Sequence, residues 1–74
     1  MLYGINSNKL KYIITIERGL QIKRVSRGCM CKDDYLYKAF KRGKLPDNVI
    51  ERLNDRYEIN PARYVIGWKG GKEV

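Results

Sequence analysis

The stretch whose reading decides the fold is RGCMCKDDYLYKAFKRG, residues 27–43. Two cysteines flank a methionine, two acids follow, and tyrosines then mix with lysines. The stretch is either a metal clip or the bend between two helices. Spacing favours the bend. Leu36, Ala39 and Phe40 stand at i, i+3 and i+4, which places them on one side of a helix. Asp34, Tyr37, Lys38 and Lys41 follow the same period and form the opposite, polar stripe. Asp33 or Asp34 suits the start of that helix, because acids favour helix N-termini. Gly43 suits its end, after Arg42. As a metal clip the stretch is short of ligands. Cys29 and Cys31 are two thiolates, a closed zinc site takes four ligands, and the chain has no histidine and no third cysteine. A two-coordinate Cu(I) site or a dimer-bridging cluster is the metal reading left open. The preferred reading is two small apolar fillers flanking the bend, with no cofactor. A disulfide across one intervening residue is strained and gains little, so both cysteines are expected as reduced thiols in a cytoplasm.

Upstream, Ile22 to Gly28 forms a short segment in which Leu20, Val25 and Cys29 bury together and Ser26 is the small residue at the helix contact. Before it, Ser7 and Asn8 offer caps for a helix from about Lys9 to Arg18, with Leu10, Ile13, Ile14 and Glu17 at helical spacing. The run Tyr12 to Ile16 is rich in β-branched residues and also suits a strand. Gly19, where a left-handed terminal residue belongs, favours helix. Downstream, Pro46 and Asp47 open a helix whose apolar stripe is Val49, Ile50, Leu53 and Tyr57. Glu51, Arg52, Asp55 and Arg56 read as its solvated face. Asn60-Pro61 repeats the cap-plus-proline signal for a last helix through Tyr64 and Ile66, stopped by Gly67. Residues 67–74 read as a flexible tail. The expectation is one domain over residues 1–74, with its core at about 8–66: a compact, all-α unit of four to five helices.

The charge of the 74-residue chain is +8, and its placement is uneven. Residues 18–44 carry nine cations against Asp33 and Asp34, a net +7, while residues 45–74 balance at zero. A basic face gathered in one unit is the footprint of a polyanionic partner. A merely solubilising face is the competing reading. No leader pattern and no long apolar run suggests export or a membrane span.

The segment GLQIKRVSRGCMCKDDYLYKAFKRGKLPDNVIERL, with Gly19-Leu20, Val25-Ser26, Tyr35-Leu36 and Arg42-Gly43-Lys44 at the matching places, resembles the helix-turn-helix of the lambda-repressor/Cro-like (XRE-type) family. The resemblance spans roughly residues 8–66, and YEINPARYVIG is similar to that family's short last helix. Three departures stand out, one of them an extra residue between Leu36 and Gly43 relative to the common pattern. Ile22 occupies a place where the family usually has a phosphate-supporting glutamine, and Met30 occupies the bend where it usually has glycine. Met30 is therefore expected to take a positive φ or to sit in an altered turn.

The resemblance implies a transcriptional repressor of a phage or mobile element, binding double-stranded DNA as a homodimer in the cytoplasm. It carries the base-facing role to Lys32, Asp33, Asp34, Tyr37, Lys38 and Lys41. Lys23, Arg24, Arg27, Arg42 and Lys44 suit phosphate contacts. A second reading is a protein-binding module of the same fold, such as an antitoxin or anti-repressor-type partner. For it, Tyr64, Val65, Ile66 and Trp68 could form an apolar patch; equally they close the core under the first helix. An enzyme is not expected. There is no histidine, no serine with an evident base, no glycine-rich phosphate loop, and no carboxylate pair beyond the adjacent Asp33 and Asp34.

Overall fold

The structure, a computed structural model, describes residues 2–68. The domain is mostly helical, with a small two-stranded sheet. In chain order it has strand β1 (Leu2–Gly4), helix α1 (Ser7–Tyr12) running into a π-helical turn (Ile13–Glu17), α2 (Ile22–Gly28), α3 (Tyr35–Arg42), strand β2 (Lys44–Pro46), α4 (Asp47–Tyr57) and a 3-10 turn (Pro61–Arg63). A single core joins them. Leu10, Ile13, Ile14, Val25, Cys29, Leu36, Ala39, Leu45, Ile50, Leu53 and Ile59 are almost wholly shielded from solvent.

The first helix is capped by Asn6, one residue before the expected caps, and begins at Ser7. The Asn6 side-chain carbonyl accepts the Lys9 N–H at 3.1 Å. Ser7 is already helical, and its hydroxyl donates instead to the Phe40 carbonyl at 2.8 Å, joining α1 to α3. The β-branched run is helical but widened. The Thr15 hydroxyl donates to the Lys11 carbonyl at 2.7 Å and competes for the ladder's acceptor, a known cause of helix distortion. The Arg18 N–H then reaches back to the Ile13 carbonyl at 2.9 Å. Gly19, Gly43 and Gly67 have φ of +64°, +73° and +65°; Gly19 is the left-handed terminal residue expected and Gly43 ends α3, whereas Gly67 follows no helix.

The expectation of an all-α domain is corrected by the sheet. β1 and β2 are antiparallel, with Tyr3 opposite Leu45, and on its other side Ile5 bridges to Val65. Each strand is only three residues long, below the length at which period-2 alternation can be read. Pro46 is likewise not inside the first turn of α4. It is the extended residue before it, closing β2, and Asp47 is the first helical residue.

The end of the chain differs too. Asn60 does cap, accepting the Ala62 N–H at 2.9 Å, but the helix stops at Arg63 because Val65 and Ile66 turn toward β1. The Ile66 N–H donates to the Gly4 carbonyl at 2.9 Å. Tyr64 and Val65 are buried while Ile66 is exposed, so of the two roles weighed for this segment, core closure describes Tyr64 and Val65. Trp68, assigned to a tail, packs against Tyr3 with ring centroids 5.2 Å apart. Residues 69–74 lie outside the described residues. No helix among the described residues is long and apolar enough to cross a membrane.

Candidate nucleic-acid interface

The α2–bend–α3 unit is built on its inner side by Ile22, Val25, Leu36 and Ala39, all buried. One helical period sets both faces, so burying these residues turns the opposite sides outward. On α2 that exposes Lys23, Arg24 and Arg27; on α3 it exposes Tyr37, Lys38 and Lys41, with Arg42 beyond. Lys32, Asp33 and Asp34 at the bend are exposed, as is Lys44 at the start of β2. Asp34, Tyr37, Lys38 and Lys41 therefore share one solvent-facing stripe, while Phe40 is half-buried at the edge of the core.

The bend itself is a Schellman-type helix end. The Met30 N–H donates to the Arg27 carbonyl at 2.8 Å and the Cys31 N–H to the Ser26 carbonyl at 3.0 Å. That pattern requires a left-handed residue at position 30, and Met30 has φ of +63°. Met30 is 73% exposed, so the strain of the backbone is not offset by burying the residue. Gly28, two residues earlier, is still helical. It leaves room for Tyr57 of α4, because a Cβ at position 28 would meet the Tyr57 hydroxyl at 1.8 Å.

Ser26 does more than keep the helices close. It is fully buried, and its Oγ accepts the Leu36 N–H at 3.2 Å, satisfying a donor in the first turn of α3. The expected cap by Asp33 or Asp34 is accordingly corrected. Asp34 precedes the helix but makes no side-chain cap bond, and its carboxylate lies 3.4 Å from the Lys38 ammonium. Asp33 pairs in fork geometry with Arg27, Nη2 to Oδ2 at 2.9 Å. The Arg27 guanidinium holds the Asp33 carboxyl below the usual carboxylate range. Two residues assigned to different roles, base edge for Asp33 and phosphate for Arg27, are thus brought together, and the exposed pair links the α2 surface to the bend.

Both thiols are free. Cys29 lies in the core, and burial pushes its thiol up to about 11, with Cys31 adding in the same direction. Cys31 is half-buried, and its thiol donates to the Cys29 carbonyl at 3.4 Å. Among the described residues, no three histidine, cysteine or acidic side chains gather as a metal site would require.

No protein-family model, curated protein or solved structure matches this chain. The chemistry of the surface comes from its own side chains. The exposed lysine and arginine heads on α2, α3 and the start of β2 are able to donate hydrogen bonds to anionic oxygens, and Tyr37 adds an exposed aromatic ring among them.

Arg52 is the residue that the sequence left on the wrong face. It is half-buried, and its Nη1 donates to the Cys29 carbonyl at 3.0 Å. A signal was present: Arg52 lies three residues after Val49, at the margin of the apolar stripe of α4, so a long side chain there can reach inward along it.

Proposed function

We propose that this domain is a sequence-specific binder of double-stranded DNA that uses α3 in the major groove, as a helix-turn-helix repressor of the lambda-repressor/Cro-like type does. The observation that carries the reading is the outward stripe of α3. Tyr37, Lys38 and Lys41 stand exposed on a helix whose other side is sealed into the core by Leu36 and Ala39. A helix held by its inner face and lined with hydrogen-bonding groups on its outer face fits a groove that admits one helix.

Lys38 and Lys32 donate to guanine O6 or N7, and Tyr37 packs on a thymine methyl or bonds a phosphate. Asp34 beside Lys38 orients that ammonium and disfavours base edges that present only acceptors. Lys23, Arg24, Arg42 and Lys44 neutralise phosphates, as does Arg27 through the guanidinium edge left free by Asp33. The protein acts in the cytoplasm of a bacterial or phage-infected cell, as a homodimer on paired half-sites and without a catalytic step. Selection of bound sites from a random duplex pool tests this reading. A recovered consensus with two related half-sites about one helical turn apart supports it, and a pool that stays random rejects it.

A further inference from the structure

Two non-glycine residues among the described ones have positive φ, Met30 at +63° and Glu58 at +56°. Both turns are held by an arginine distant in the chain. The Arg18 Nη2 donates to the Glu58 carbonyl at 2.8 Å, and the Arg52 Nη1 donates to the Cys29 carbonyl, the one just before Met30, at 3.0 Å. A left-handed backbone at a residue with a Cβ is unfavourable and persists only where its surroundings over-determine it.

At Met30 the side chain contributes little to that, being mostly in solvent. What holds the bend is a set of bonds on either side of it. The Ser26 carbonyl takes the Cys31 N–H, the Ser26 hydroxyl takes the Leu36 N–H, and the Cys29 carbonyl takes both the Cys31 thiol and the Arg52 guanidinium. Only Arg52 belongs to a different helix from the pair that the bend joins. It also brings a cation to the C-terminal end of α2, where exposed carbonyls carry partial negative charge.

We infer that Arg52 is a positioning residue for DNA reading, a clamp from α4 that keeps the Met30 bend in its left-handed form and so fixes the angle at which α3 leaves α2. It touches no base. It acts by keeping nearly all molecules in the one bend that presents Tyr37, Lys38 and Lys41 together, so its loss lowers apparent affinity through the competent fraction. A glycine at position 30 adopts the left-handed form without strain, which makes the clamp dispensable. Arg52 and Met30 are therefore coupled, and a double-mutant cycle measures the coupling. The DNA part rests on the function proposed above; the clamp itself does not.

The test compares the full chain with Arg52→Ala, Arg52→Gln, Met30→Gly and Met30→Gly/Arg52→Ala. Amide exchange at Cys31 and Leu36 is followed first, without DNA. Exchange at least about fivefold faster in Arg52→Ala, and restored by Met30→Gly, establishes the clamp even if no duplex is bound; unchanged exchange overturns it. Titration on a selected and a scrambled duplex follows. The expected result for Arg52→Ala is about tenfold weaker binding to the selected duplex, a smaller loss on the scrambled one, and an unaltered salt slope, with most of the loss recovered in the double variant. Arg52→Gln, which keeps a donor on a shorter arm, should fall between wild type and Arg52→Ala. Equal losses on both duplexes with a slope reduced by about 0.9 would mean that Arg52 contacts a phosphate, and would overturn the positioning role. If neither wild type nor any variant binds DNA while the exchange pattern holds, the proposed function fails and the clamp stands.

Discussion

Replacing Ser26 by alanine removes one oxygen from the centre of the α2–α3 contact. Ser26 is fully buried and its Oγ accepts the Leu36 N–H at 3.2 Å. Without the oxygen, that N–H points into the core with no acceptor. Leaving a buried donor unmet costs about 1–3 kcal/mol. Losing a serine cap costs about 0.5–2 kcal/mol. Both figures describe the same bond and are not additive, so about 1.5 kcal/mol is expected. The missing atom leaves too small a void to add much. In a domain of this size, each kcal/mol moves Tm by about 4–8 °C, so Ser26→Ala should melt about 6–12 °C lower. Guanidinium denaturation should show a lower midpoint with an unchanged slope, because the surface exposed on unfolding is the same. Amide exchange should speed up at Leu36 ahead of the rest of α3. A variant that melts like wild type and keeps a slow Leu36 amide would refute the cap and, with it, the account of how α3 begins.

Other consequences follow from the same contacts. Met30→Gly relieves a left-handed backbone strain and should raise stability by about 1 kcal/mol in a denaturant titration; a loss of stability would show that the methionine side chain packs. Tyr64→Phe deletes a buried hydroxyl with no hydrogen-bond partner among the described residues, so its Tm should equal or exceed that of wild type. Asp33 and Glu17 are both held below the ordinary carboxylate range by hydrogen bonds from Arg27 and Arg63. A depressed folded pKa contributes stability above the unfolded value, and that contribution is lost as pH falls through the folded one. Stability from these pairs should therefore be flat near neutrality and fall on acidification through and below the ordinary carboxylate range. Asp33→Asn together with Glu17→Gln should flatten the fall, as thermal melts across that range would show. If about six phosphates are neutralised, the log–log slope of affinity against salt should be about −5; a flat dependence is incompatible with the proposed face.

Helix α3 was readable because periodicity sufficed for it; the Tyr12–Ile16 run needed Gly19 to decide between helix and strand, and the last helix, expected through Ile66, is only the turn Pro61–Arg63. Leu36, Ala39 and Phe40 on one side of a single period, with Asp34, Tyr37, Lys38 and Lys41 on the other, required no knowledge of neighbours. Met30 at the bend was readable for a related reason. Shifting the register to place Gly28 there would bury Lys23, Arg27 and Asp34, and burying unpaired charge costs more than one left-handed residue. The sheet was not readable, because three residues of β1 have no alternation to count and Lys44–Pro46 carries a proline that reads as punctuation. The capping of α3 was missed because local rules pointed to the nearest acids. Arg27 and Lys38 draw those acids away, and the cap comes from Ser26, ten residues upstream. Arg52 escaped because a solvated face was inferred from charge alone. A guanidinium on a long apolar stem can serve a buried carbonyl from the edge of the stripe.

The most direct measurement is the titration of wild type, Lys38→Ala and Arg42→Ala on a selected duplex and on a scrambled one at fixed salt. If α3 reads bases, wild type prefers the selected duplex. Lys38→Ala then loses about 1–3 kcal/mol on it with little change on the scrambled one, while Arg42→Ala weakens both alike. Equal, sequence-independent losses for the two variants, or no preference in wild type, would contradict the account.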